Sequence, residues 1–152
     1  MSITLRSEVL KKYPNPVFLE TGTFKGGGVK LALGCGFPKV VSIEIDPPLV
    51  QAAREMFKDT ANVNIVLGDS LEVLPELLSF IQDPITFWLD AHIQESCVLG
   101  KFPVPLIEEL SIIAQSRGGA FNDTVLIDVR RLFGQGAYRV IVTGKQIGRA
   151  HV

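Results

Sequence analysis

The sequence predicts a three-layer α/β/α sandwich around a mostly parallel sheet, and three observations carry that prediction. Short apolar runs alternate with amphipathic helical stretches along most of the chain. Each apolar run closes on an acidic residue. The connections between runs and helices are short, as right-handed strand-helix-strand crossovers require. At 152 residues and 16.6 kDa the chain suits one domain with a buried core. Its hydrophobic content of 47% and mean hydropathy of +0.30 argue for folding and against disorder.

The elements follow in order. "PVFLE" is an apolar run ending in a carboxylate and then glycines, so the first strand spans 17–20. A helix starts near Gly26 and carries "VKLALGCG" until Gly34 and Gly36 end it. "KVVSIEID" gives the second strand over 40–45. "PPLVQAAREMF" gives a second helix, with prolines in its first turn and Leu49, Ala52, Ala53 and Met56 expected on one face. "VNIVLGD" is the third strand. "SLEVLPELLSFI" is helical, with Ser70 expected as N-cap and a kink expected at Pro75. "ITFWLD" is the fourth strand, in which Trp88 points opposite to Phe87 and Leu89 and belongs to the core. After an irregular stretch over 90–105 come the helix "LIEELSIIAQS", with Leu106, Leu110 and Ile113 on one face, and the fifth strand "TVLIDV". One more strand is expected over 138–142.

The chain end reads differently. "IGRAHV", residues 147–152, matches the translation of a common sequencing-adapter oligonucleotide. The expectation is therefore a single, incomplete domain over 1–146 whose C-terminal strands are missing, with a non-native tail and no role for His151. An open sheet ending near residue 142 exposes an apolar edge that further strands or a partner would cover.

Charge and cysteine content narrow the function classes. A formal net charge of −1 supplies no field to draw nucleic acid or anionic lipid. No apolar run is long enough for a secretory signal or a membrane span. Cys35 and Cys97 make neither a disulfide framework nor a zinc set, which favours a reducing, cytoplasmic setting. Nothing in the sequence fixes an oligomeric state.

In parallel sheets of this kind, ligands bind beyond the C-terminal strand ends, where strand order reverses. Glu20, Glu44, Asp69, Asp90 and Asp128 fall at those ends, the first four at nearly constant intervals of one strand-helix unit. Between Glu20 and the first helix, "GTFKGGG" lets backbone approach a ligand closely, with Gly22, Gly26 and Gly28 the positions that matter. The lysine precedes the glycines and no GK[ST] follows, so this is no phosphate-binding P-loop; Thr23 and Phe24 also spoil the dinucleotide fingerprint. Glu44 at a strand end can accept from both hydroxyls of a ribose. Asp69 can accept from an exocyclic adenine amine.

These residues resemble the class I, Rossmann-like S-adenosylmethionine-dependent methyltransferases over about 17–128. "LETGTFKGG" is similar to that family's first motif, "VVSIEIDPPLVQAAR" to its second and "VLGDS" to its third. The resemblance implies S-adenosylmethionine as cofactor, Glu20, Gly22, Thr23 and Gly26 around its methionine part, Glu44 on the ribose, and Asp69 with Ser70 at the adenine. Phe24 departs from the glycine that many members carry. "FWLDAH" and "VLIDV" further resemble the metal-dependent, macrocin-type sugar O-methyltransferases, which carry an aspartate after the fourth strand and an aspartate pair after the fifth. That implies Mg²⁺ on Asp90 and Asp128, but the second residue of the pair is Val129, so an oxygen ligand is missing and binding is expected to be weak. His92, oriented by Asp90, is a candidate general base for a hydroxyl; a histidine that merely bonds Asp90 or a loop carbonyl is the competing reading. Arg130 and Arg131 are read as solvated side chains.

The function expected is methyl transfer to an oxygen or nitrogen of a small or sugar-like acceptor. The alternatives are an NAD-dependent oxidoreductase, disfavoured by the turn pattern, and a non-catalytic nucleotide-binding domain.

Overall fold

The computed structural model describes residues 5–90, 105–128 and 139–143. A short helix α1 (Ser7–Leu10) precedes β1 (Val17–Thr21), α2 (Gly27–Gly34), β2 (Lys39–Glu44), α3 (Pro47–Met56) and β3 (Val63–Leu67). Then come α4 (Ser70–Phe80), β4 (Ile85–Leu89), α5 (Leu106–Arg117), β5 (Thr124–Asp128) and β6 (Arg139–Thr143). The sheet order is β3-β2-β1-β4-β5-β6. Strands β1 to β5 are parallel, and β6 returns antiparallel beside β5.

Strand alternation divides the core into two layers. Val17, Leu19, Val41, Ile43, Phe87, Leu89, Val125 and Ile127 point to one face and pack against Leu74 and Leu78 of α4 and Ile113 of α5. Phe18, Val40, Trp88 and Leu126 point to the other and meet Val29 and Ala32 of α2 and Val50 and Ala53 of α3. Both faces of the sheet are covered, so its strands read as continuous apolar runs. Trp88 is core, as its position in the alternation requires.

Two local expectations change. The buried side of α3 carries Val50 and Ala53 and continues to Phe57, while Met56 is about half exposed. Helical periodicity allowed two neighbouring stripes, and the one facing the sheet won. Asp69, rather than Ser70, caps α4: its Oδ1 accepts from the Leu71 amide at 3.0 Å and its φ and ψ are extended, as an N-cap requires. Pro75, the position of the expected kink, lies inside α4 as its sixth residue.

Among the described residues no helix is long and apolar enough to cross a membrane.

Candidate active site

The chain runs outward from β1 through β2 to β3, then crosses back to β4 and β5. Strand order therefore reverses between β1 and β4, and the crevice above their C-terminal ends is where such sheets hold ligands. Glu20 and Glu44 lie in the last two residues of their strands, Asp69 caps the helix after β3, and Asp90 follows β4 directly. The register pairs Leu89 with Ile127, which sets Asp90 beside Asp128 at neighbouring strand ends. All five predicted positions thus occur along one rim.

The glycine turn is built by backbone bonds. Gly22 and Thr23 amides donate to the Ile43 carbonyl at 2.8 and 3.3 Å, and the Gly26 amide donates back to Thr23 at 2.8 Å. Gly26 has φ 76°, and a Cβ there would press on the Phe57 ring, so this position needs glycine on two counts. Phe24 also takes a left-handed conformation, φ 48°, which is uncommon for a bulky residue. Its amide donates to Glu44 Oε2, 2.8 Å away.

Glu44 is 7% exposed and accepts two further amides at Oε1, from Ile45 and Asp46, each at 3.0 Å. A carboxylate offers about four acceptor positions. Three are taken by backbone, so one stays open to an incoming hydroxyl unless the Phe24 amide gives way. The expectation that Glu44 takes both ribose hydroxyls therefore requires the loop to yield a bond.

Glu20 lies deeper, at 2% exposure. Ser42 donates to its Oε1 at 2.7 Å, and the Thr23 hydroxyl sits 2.5 Å from Ser42, so a buried hydroxyl relay joins the loop to Glu20. Because Ser42 uses its hydrogen on Glu20, Thr23 supplies the hydrogen between the two hydroxyls. Burial pushes the Glu20 carboxyl up to about 8, with the charges of Asp90 and Glu44 adding to that rise and the Ser42 bond opposing it. A methyl group at Gly28 would overlap the Glu20 carboxylate, so the glycine in the first turn of α2 makes room for the acid.

One rim residue escaped sequence reasoning. Glu109 of α5 is 1% exposed and accepts from Ser70 Oγ at 2.5 Å and, more loosely, from Thr21 Oγ1 at 3.4 Å. Burial raises its carboxyl to about 7, against the lowering effect of those two hydroxyls, with Asp69 and Glu108 adding repulsion. The available signal was its place in the helical period: Leu106, Glu109, Leu110 and Ile113 fall on one stripe, and an acid on an apolar stripe needs a buried partner. Ser42 escaped for a simpler reason, being one polar residue inside an apolar strand.

His92, Val129, Arg130, Arg131, Cys97 and the 147–152 tail lie outside the described residues. Among the described residues no three His, Cys, Asp or Glu side chains converge as a metal set.

The architecture is the class I, Rossmann-like methyltransferase fold. Over 87% of its length the chain superposes on the S-adenosylhomocysteine-bound methyltransferase PaMTH1 of Podospora anserina, with a TM-score of 0.65, 20% identity and 56% of that chain covered. The O-methyltransferase TomG of Streptomyces achromogenes, solved with S-adenosylmethionine, superposes over 80% of this chain and 52% of its own, with a TM-score of 0.58 and 20% identity. In sequence, 76 residues are 36% identical to ribosomal RNA small subunit methyltransferase A of Geobacter metallireducens, 49% of this chain and 27% of that protein. The chain thus spans about a quarter of that relative's length and little more than half of each solved structure. No protein-family model matches it.

Proposed function

We propose that the rim between β1 and β4 binds S-adenosylmethionine and that the chain serves methyl transfer to an oxygen or nitrogen of a small or sugar-like acceptor. The observation that carries this reading is the coincidence, at the point of strand reversal, of the glycine turn with Glu20, Glu44 and Asp69. Glu20, Gly22, Thr23 and Gly26 would surround the methionine part, Glu44 a ribose hydroxyl, and Asp69 with Ser70 the adenine. The bound cofactor would supply an activated methyl group. The protein's part is then alignment of donor and acceptor and, for a hydroxyl, removal of a proton. His92 is the proposed general base, with Asp90 orienting it.

Asp90 and Asp128, neighbours in the sheet register, are the proposed oxygen ligands of a weakly held Mg²⁺ completed by water. Titration with Mg²⁺ should give weak binding in the wild type and tighter binding in Val129→Asp. Absence of binding in both variants would leave the two aspartates without a metal role.

An RNA acceptor is the second reading, favoured by the ribosomal RNA methyltransferase that shares 76 residues with this chain. The net charge of −1 weighs against it, since RNA binding draws on basic surface. Incubation with methyl-labelled S-adenosylmethionine, small hydroxylated and amine acceptors in one arm and small-subunit ribosomal RNA in another, separates the two. Label in the small-molecule arm supports the first reading, label only in RNA supports the second, and label in neither removes the activity.

A further inference from the structure

We propose that Glu109 is a positioning residue for the cofactor rim, a clamp from α5 that ties the last residue of β1 to the first residue of α4. The inference rests on the cofactor reading above. Its geometry is specific. Glu109 stands on the face of α5 turned to the sheet, and its two oxygens reach different elements, Oε1 to Ser70 and Oε2 to Thr21. Those residues flank the parts of the rim that would hold the ligand. Thr21 leads directly into the glycine turn at Gly22, and its carbonyl also accepts the Asp90 amide at 3.3 Å. Ser70 follows Asp69, whose carbonyl and carboxylate organise the first turn of α4.

Among the described residues the packing gives no other reason for the acid. The neighbouring stripe residues of α5 join the apolar cluster under the sheet, where a leucine at 109 would avoid the cost of burying a carboxyl. What glutamate adds is a fork that holds two hydroxyls at once. In its ionised form both hydroxyls donate inward, and charge-assisted bonds of this kind are the stronger ones. In its neutral form the acid has to donate one bond itself, which reverses one hydroxyl and loosens the clamp. The groups acting on it are Asp69 at the α4 cap and Glu108 on its own helix, both acidic, together with the hydroxyls of Ser70 and Thr21. Ionisation near neutral pH therefore tightens the rim as pH rises.

The test compares wild type, Glu109→Gln and Glu109→Ala in two arms. In the ligand-free protein, amide hydrogen exchange is followed at Leu71, Glu72 and Val73 in the α4 first turn and at Lys30 in α2 as a distant control. E109A should speed exchange in the α4 turn at least tenfold and leave Lys30 within twofold. In the second arm, calorimetry with S-adenosylhomocysteine is run at pH 6 and pH 8. E109A should bind at least tenfold more weakly at pH 8. E109Q, which keeps both contacts but resembles the neutral acid, should match wild type within twofold at pH 6 and fall about fivefold behind it at pH 8. A purely structural residue would give a wild-type to E109Q ratio that does not move with pH, and that result overturns the proposal, as does unchanged exchange in E109A. If wild type itself takes up no S-adenosylhomocysteine, the cofactor reading falls, and the exchange arm alone decides whether Glu109 locks β1 to α4.

Discussion

Glu20 and Glu109 are buried acids whose carboxyls are raised by burial to about 8 and about 7 from an ordinary 4.5. The consequence for stability has a definite sign. Below about pH 4.5 both are protonated in the folded and unfolded chain. Above that, the unfolded chain releases the protons while the folded chain keeps them, so stability falls as pH rises and levels off beyond about pH 8. A carboxyl whose folded and unfolded pKa differ by one costs about 1.4 kcal/mol, so the two acids together account for a loss of several kcal/mol. Urea midpoints at pH 5 and pH 8.5 should therefore drop in the wild type and drop distinctly less in Glu20→Gln, where only the Glu109 contribution remains. Equal drops in both proteins would show that Glu20 is not the titrating group. Gly28 offers a separate check. Gly28→Ala should lower stability by about 1–3 kcal/mol, the usual range for overpacking. Because the new methyl meets Glu20 itself, the double variant with Glu20→Ala should cost less than the sum of the single changes. Additive costs would place the strain elsewhere.

At the scale of elements, α5 carries charged side chains at both ends of one buried stripe, and they serve different purposes. Glu109 meets the rim. Arg117, in the last turn, forms a buried fork with Asp123: Nε to Oδ2 and Nη2 to Oδ1, both 2.7 Å. The arginine also donates to the carbonyls of Ile81 and Asp83, and Asp123 accepts the Ile85 amide. This network joins the entry of β4 to the entry of β5, at the strand ends opposite the candidate site. Removing one partner strands the other charge, so Asp123→Ala should cost about 3–5 kcal/mol. Its affinity for S-adenosylhomocysteine, measured well below the melting temperature, should stay within twofold of wild type. A large loss of affinity would mean that the two ends of the sheet are coupled.

The same helix shows what the sequence could and could not disclose. Its existence, its limits and the apolar residues Leu106, Leu110 and Ile113 follow from period alone. The partners of Glu109 do not, because Thr21 and Ser70 are brought to it by the crossover of two strand-helix units, a long-range fact without a local signature. The ends of the first five strands were readable because an acidic residue closes each one, with a glycine turn after Glu20 and a helix cap at Asp69. The cap of α4 was misplaced by one residue because Asp69 and Ser70 are both good N-caps, and only backbone geometry separates them.

For the whole molecule, five parallel strands follow from the alternation and acidic endings of the sequence, whereas the reversal between β1 and β4 is a matter of strand order that no local pattern carries. The antiparallel return of β6 was expected only as a further strand, since a single apolar run carries no direction. At the opposite edge, β3 is partly sealed by the Arg54 guanidinium, which donates to the Ile65 carbonyl at 3.1 and 2.9 Å and occupies a backbone acceptor that another strand would otherwise pair. The proposed site would seat an S-adenosyl cofactor at the rim of this sheet. Calorimetry of the purified chain with S-adenosylhomocysteine, S-adenosylmethionine and NAD, repeated on Glu44→Ala, tests it most directly. Both S-adenosyl ligands should bind in preference to NAD. In E44A both should weaken in parallel, by about 1.5–3 kcal/mol for the loss of a bond to a charged acceptor. Tighter binding of NAD than of either S-adenosyl ligand, or equal affinities in wild type and E44A, would rule the site out.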